Sequence, residues 1–175
     1  MMRLVRPDSR YEKSFLKAFD EMDNDSDRDA WIYLGPDYED FFKIPFSDYA
    51  ARLQRFETSP PSHFVCGSTY WAVEDEEVIG RIGLRHELND FLRREAGHIG
   101  YIVRPSWRRK GVATEMVKQL LGTEKARTIG NLLVTCDEGN VASERTILKN
   151  GGEFESTINL GDSKPLKKRF WFHLD

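Results

Sequence analysis

The sequence predicts an α/β fold: a mixed, mostly antiparallel central sheet flanked by helices. Three observations predict it. Short runs such as Val78–Leu84, His98–Val103 and Leu132–Cys136 are rich in β-branched and apolar residues and bounded by turn residues. After Gly111, residues Val112, Met116, Val117, Leu120 and Leu121 repeat at the helical period. Two pairs of strand-like segments are joined by brief polar turns, which reads as hairpins. The 175 residues match one domain spanning 1–175, with no internal repeat and no linker to split it.

The elements follow in order. Met2–Arg6 reads as a strand ended by Pro7. Ser9 is a candidate helix cap, with Phe15, Leu16 and Phe19 on one face of the helix it opens. Residues 20–29 hold six acids and one arginine and read as a solvated loop. From Tyr38 to Phe56 an aromatic stripe marks helix, interrupted near Pro45 and closed by the breaker at 58–62. Tyr70–Glu74 and Val78–Leu84 form a hairpin around Asp75-Glu76-Glu77, with Val78, Gly80, Ile82 and Leu84 on one face. A helical turn is expected over Leu88–Arg94, then the strand His98–Val103 and the helix after Gly111. Leu132–Cys136 is a buried strand, and Ser143–Lys149 a helix stopped by Asn150-Gly151-Gly152. Phe154–Leu160 and Leu166–Leu174 close the chain as a hairpin around Gly161-Asp162-Ser163.

Composition removes several function classes. Charged residues are 31% and apolar residues 39%, with 26 basic against 29 acidic groups, so the chain has the apolar content to fold and no one-sided charge. A net charge of −3 argues against a dedicated nucleic-acid binder. No run approaches the roughly 20 apolar residues that span a bilayer, and the N-terminus lacks the apolar core of a signal peptide. A cytoplasmic protein with no membrane partner is expected, with Cys66 and Cys136 as unpaired thiols. A homodimer is compatible with the sequence.

Chemistry concentrates in residues 98–121: a strand, a basic loop and a helix opening at glycine. The first N–H groups of a helix lack internal partners, and with the helix dipole they form an anion site. Gly111 and the small Ala113 let a phosphate approach the backbone. Arg104, Arg108, Arg109 and Lys110 add four positive charges with no acid among residues 104–110. A pyrophosphate is the natural guest. Neither GxxxxGK[ST] nor GxGxxG is present.

The spacing Arg108-x-x-Gly111-x-Ala113 instead resembles the acyl-CoA loop of the GNAT superfamily of N-acetyltransferases. Thirty residues on, Asn140 through Gly152 is similar to that family's second signature, an asparagine-opened helix beside the cofactor. The close similarity spans about 78–152; before it only the order of elements agrees. The resemblance implies a GNAT-like fold, acetyl-CoA as cosubstrate and a primary amine of a small molecule or peptide as acceptor. It implies direct attack of that amine in a ternary complex, in a slot where the sheet splays. It assigns Ile102 and Val103 to the pantetheine arm and the acetyl carbonyl, and the amides of Arg108, Arg109, Lys110, Gly111, Val112, Ala113 and Thr114 to the pyrophosphate. The side chains of Arg108, Arg109 or Lys110 would meet the 3′-phosphate, and Asn140 the pantetheine.

One departure stands out. Many relatives carry tyrosine seven residues after the asparagine, where it protonates the leaving thiolate; this chain has Ile147. Ser143 or water is then the candidate proton source. For the general base Glu95 and His98 are preferred, with His86 and Glu87 nearby in sequence. A non-catalytic acyl-CoA sensor is the alternative, and a nucleotide-binding module a more distant one. The acidic run Asp23–Asp29 lacks the glycine and glutamate of a calcium loop, and the four histidines show no ligand spacing, so no metal is expected. Those acids could attract a cationic amine.

Overall fold

The structure, a computed structural model, describes residues 1–35, 38–161 and 163–174, with the backbone alone at 38–40. Among the described residues, seven strands form two antiparallel sheets. The first, in order β1-β2-β3-β4, contains Arg3–Val5, Gly67–Glu74, Glu77–Arg85 and Ile99–Val103. The second, in order β5-β7-β6, contains Asn131–Asp137, Lys167–His173 and Glu153–Ile158. Helices α1 (Glu12–Asp20), α2 (Asp25–Ile32) and α3 (Phe46–Arg55) cover one side. Helices α4 (Val112–Leu121), α5 (Glu124–Ile129) and α6 (Val141–Lys149) cover the other.

Several local expectations change. Asp8, not Ser9, caps the first helical turn, accepting from the Arg10 amide at 2.9 Å. The acidic stretch is not a loop throughout: Asn24 accepts from the Asp27 amide and opens α2, whose first turn holds Asp25 and Asp27 at the positive end of the helix dipole. The sequence reading also missed α5, which Thr123 caps. The β2–β3 turn uses Asp75 and Glu76, both at positive φ, the geometry that matches strand twist. A bulge at Ala72/Val73 inserts Ile79, so Val78 and Gly80 do not share a face as expected. Val78 packs with the N-terminal helices, while Ile79, Ile82 and Leu84 join the other core. Of the last turn, Asp162 lies outside the described residues.

Two apolar cores result. Under α1–α3, the fully buried Phe15 is ringed by Trp31, Phe41, Phe46, Tyr49 and Trp71, with ring centroids 4.8–6.1 Å away. On the other side Met116, Leu120, Leu132, Ile147 and Phe172 join the two sheets to α4 and α6. Gly80 permits that packing: a Cβ there would lie 2.6 Å from the Met116 sulfur.

The feature that positions the site is the gap between β4 and β5. Among the described residues no ladder joins them. They are stitched only at one end, where the His98 amide donates to the Leu133 carbonyl (2.7 Å) and the Leu133 amide donates to His98 Nδ1 (2.9 Å). Gly97 makes this approach possible, since at φ +63° its Cβ would stand 2.5 Å from the Leu133 oxygen. Beyond the stitch the strands part, as the sequence reading expected.

Candidate active site

Register decides which backbone groups line this gap. Gly83 pairs with Gly100 and Arg81 with Ile102, and the Arg104 amide donates to Ile79. Alternation then directs the polar backbone groups of residues 100 and 102 into β3, and those of Ile99, Tyr101 and Val103 into the gap. Of the expected pair, Val103 therefore faces the gap and Ile102 does not; Tyr101 joins Val103. The Ile102 side chain packs toward the N-terminal helices.

At the mouth of the gap lies the start of α4. Arg109 and Gly111 adopt positive φ (+62° and +82°), curling the chain so that successive amides point outward. None of the backbone N–H groups of residues 109–114 donates to a protein acceptor among the described residues, and Gly111 has no side chain to cap the helix. A Cβ at Gly111 would meet nothing within 4 Å, so the space above these amides is open. This fits the diphosphate of a CoA-type ligand, a multivalent anion that needs several convergent donors.

The cationic side chains divide differently from the expectation of four free charges. Arg104 is only 2% exposed and holds Glu21 (2.5 Å) and Glu77 (3.2 Å). Glu21 also accepts from Ser106, and these partners, Arg104 first, hold its carboxyl near 2, well below the ordinary 4.5. Arg108 turns back to Asp23 (2.5 Å) and Asp27 (2.8 Å), and its Nε donates to the Val103 carbonyl. Asp23 and Asp27 thus fasten the basic loop to the start of α2, while Asp25 stays exposed beside Arg28. Arg109 and Lys110 are exposed, with the Lys110 ammonium 5.0 Å from the Trp107 ring centre.

On the far wall, Asn140 caps α6, its Oδ1 accepting from the Ser143 amide at 3.1 Å, which leaves its amide group as a donor. Ile147 is fully buried in the core, with Gly152 packed against it. Opposite α6 the sequence reading missed Tyr101. Its hydroxyl is buried close to the Ser143 and Thr146 hydroxyls of α6, but none of the described residues makes a well-formed hydrogen bond to it. Burial raises its pKa above 10, outweighing the Ser143 and Thr146 hydroxyls on α6, which pull it down. A phenol in an apolar β-strand pattern carries no signal of this; only the neighbouring helix reveals it.

The preferred base pair has other partners. His98 is 5% exposed, and burial lowers its pKa from 6.5 to about 4. The ring is neutral near pH 7, with its Nδ1 lone pair taken by Leu133. Glu95 pairs with Lys164 at 2.8 Å, and its carbonyl accepts from Thr135. Neither lines the cavity described next. His86 and Glu57 both contact Ser68, at 2.8 and 2.5 Å. Among the described residues, no group of three or more His, Cys, Asp or Glu is arranged to hold a metal, and no helix is long and apolar enough to cross a membrane.

Beneath α2 and α3, on the other face of β4, lies a cavity of about 710 Å³. Gly83 and Gly100 form its floor, Leu34, Phe56 and Phe64 part of its wall, and Ile102 and Tyr101 its edge toward the gap. Its basic groups are His63, Arg81 and Arg85, and no acid is among its described lining residues.

A split sheet with an open amide cradle at its mouth and a separate cavity behind is the architecture of an acyl-group transferase. The sequence profile described as "Acetyltransferase (GNAT) domain" matches residues 18–153, well beyond the segment singled out from motifs. The chain belongs to the GNAT acetyltransferase family and is an acyltransferase. The fold recurs in the microcin C7 self-immunity acetyltransferase MccE, solved with acetyl-CoA and AMP (12% identity, TM-score 0.65, 99% of this chain and 92% of that one). It recurs in RimL, a ribosomal L7/L12 α-N-protein acetyltransferase solved with coenzyme A (14%, TM-score 0.66, 99% and 94%). A Salmonella typhimurium acetyltransferase that modifies the N-terminal serine of L7/L12 is a third (15%, TM-score 0.65, 99% and 95%). No curated protein sequence matches significantly.

Proposed function

We propose that residues 1–175 act as one GNAT-like domain that transfers an acetyl group from acetyl-CoA to a primary amine. The observation that carries the cosubstrate is the set of unpartnered amides at residues 109–114, opening onto free space beside the β4–β5 gap. Those amides hold the diphosphate, Arg109 and Lys110 supply charge for the 3′-phosphate, and Val103, Tyr101 and Asn140 offer hydrogen bonds to the pantetheine arm.

In the reaction the neutral amine nitrogen bonds to the acetyl carbon, the carbon–sulfur bond breaks, the sulfur leaves with the electron pair as thiolate, and the nitrogen, cationic after attack, sheds a proton to solvent water. Backbone donors along β4 stabilise charge on the carbonyl oxygen. We assign the thiolate's proton to Tyr101, with Ser143 beside it, in place of the tyrosine that Ile147 displaces. A phenol is protonated at neutral pH, the form an acid requires, and burial raises its pKa further.

The amine needs no dedicated base if it is an α-amine. Deprotonating a group of pKa near 8 at pH 7 costs about 1–1.4 kcal/mol, against about 4–5 kcal/mol for a lysine side chain. Arg81 and Arg85, with no acid beside them in the cavity lining, lower the pKa of an ammonium bound there further. His98 then acts as a positioning residue that stitches the sheets. The RimL-type structures, whose acceptor is a protein N-terminus, are consistent with an α-amine acceptor.

Calorimetry with acetyl-CoA, followed by thiol release across α-amines, lysine analogues and polyamines, tests this. Binding without turnover would favour the sensor reading. Tighter binding of ATP than of acetyl-CoA would overturn the cosubstrate assignment.

A further inference from the structure

The acceptor cavity contains an arginine that the fold uses only in part. Arg81, deep on β3, is satisfied: its guanidinium donates to the carbonyls of Trp31 and Tyr33 and, at 3.1 Å, to the Tyr49 hydroxyl. Arg85, four residues on and at the end of β3, donates only through Nη1, to the Gly97 carbonyl at 3.1 Å. Among the described residues its Nη2 and Nε have no partner and no carboxylate pairs with it. The guanidinium lies over Gly100, whose missing side chain leaves it room: a Cβ there would sit 3.8 and 3.9 Å from Nη1 and Nη2. Arg85 is half-buried and lines the cavity, so its free nitrogens face the space that an acceptor would enter.

We propose that Arg85 binds a carboxylate carried by the acceptor, so that the amine substrate of this enzyme also bears a carboxylate beside an apolar group. A guanidinium edge matches a carboxylate with two parallel hydrogen bonds. One free edge suits one negative charge, whereas a phosphate brings about −1.5 to −2 and would want a second donor set. The remaining lining is apolar, with Leu34, Leu53, Phe56, Phe64 and Phe91 around the glycine floor. Arg85 lies over residue 100, and the gap-facing residues 101 and 103 follow one and three positions along β4. At about 3.3 Å per residue that separation is roughly 3–10 Å, the span between the amine and carboxylate of one small molecule. Free apolar amino acids and short apolar peptides meet these terms.

This inference rests on the acetyl-transfer reading but can be tested apart from it. Thiol release with acetyl-CoA is measured for matched triples: an apolar amino acid, its carboxamide and its decarboxylated amine. The carboxylate should lead by at least tenfold in kcat/KM, even though the carboxamide has the less basic and more readily deprotonated amine. Arg85→Met, which keeps an apolar stem, should lower the carboxylate's kcat/KM at least 30-fold and the carboxamide's less than threefold. Equal use of carboxamide and carboxylate by the unaltered enzyme overturns the proposal, whatever the variant's folding. So does an equal loss on all three substrates, or an aminoalkylphosphonate that outperforms the carboxylate. If no amine turns over, the acetyl-transfer reading fails. The pocket is then judged by thermal stabilisation: an N-acetyl amino acid must stabilise the protein more than its carboxamide, and equal or absent stabilisation overturns the inference.

Discussion

Replacing Tyr101 by phenylalanine separates stability from chemistry. The ring packs against the core of α4, α6 and the sheets, and phenylalanine keeps that packing. Among the described residues the hydroxyl makes no well-formed hydrogen bond, with Ser143 and Thr146 near but poorly aligned, so in the resting protein it is a buried polar group with little compensation. Leaving such a group unsatisfied costs about 1–3 kcal/mol. Tyr101→Phe should therefore leave stability unchanged or raise it by about 1 kcal/mol, a Tm increase of roughly 2–4 °C for a chain of this size. Catalysis should move the other way. General acids contribute about 10²–10⁴-fold, but a thiol of pKa near 8.5 leaves tolerably as thiolate, so the loss belongs below that range. We expect kcat to fall about 30-fold, equivalent to ~2 kcal/mol of barrier, with KM for acetyl-CoA within twofold. Calorimetric melting and continuous thiol detection read both quantities on one preparation. A kcat within threefold of the unaltered enzyme would remove Tyr101 from the chemistry. A Tm drop beyond about 5 °C would mean that the hydroxyl is bonded after all.

The other expectations concern the amide cradle and the stitch between the sheets. Gly111→Glu puts a carboxylate against the diphosphate position and should weaken acetyl-CoA binding at least tenfold by calorimetry. The fold should survive, since a Cβ there meets nothing within 4 Å and the positive φ costs only about 1–2 kcal/mol; unchanged affinity would refute the cradle. His98 is neutral when folded, with its pKa lowered from 6.5 to about 4, so its contribution is complete above pH 6.5 and is lost as pH falls toward 4. Denaturant unfolding should show about 2–3 kcal/mol less stability at pH 4.5 from this group, and His98→Gln should flatten that slope; parallel pH curves would contradict the assignment. Gly97→Ala drives a Cβ into the Leu133 oxygen at positive φ, whereas Gly80→Ala meets the flexible end of Met116 first. The first should cost about 3 kcal/mol or more and the second less, and the reverse order would show that the β4–β5 stitch yields easily.

Much of the fold was legible because it rests on local periodicity. The helix after Gly111 appears as α4 because its apolar stripe repeats at the helical period, and the hairpin over 70–84 because two apolar runs flank a polar turn. What failed did so for non-local reasons. The bulge at Ala72/Val73 is invisible to alternation and moved Val78 to the opposite core. The acidic stretch formed a helix because Asn24 caps it and Arg108, 81 residues beyond Asp27, neutralises its first turn. The site follows the same division. Gly111, Ala113 and Asn140 could be singled out from spacing because an amide cradle is a local backbone conformation. Tyr101 and Arg85 gave no such signal, because the surroundings of one depend on a helix forty residues on and those of the other on a cavity lined by distant segments.

The sequence alone determined that a glycine-opened helix follows a strand and a basic loop, since neighbouring residues set those dihedrals and leave those amides unpaired. It could count the four charges of residues 104–110 but not their use. Only the tertiary structure assigned two of them to glutamates and aspartates and left two at the surface. It alone turned His98 into a stitch and, among the described residues, left Arg85 without a counter-ion over Gly100. The reason is physical: a side chain's charge and hydrogen-bonding state depend on which groups the fold brings within a few ångströms, and most of those are distant in sequence.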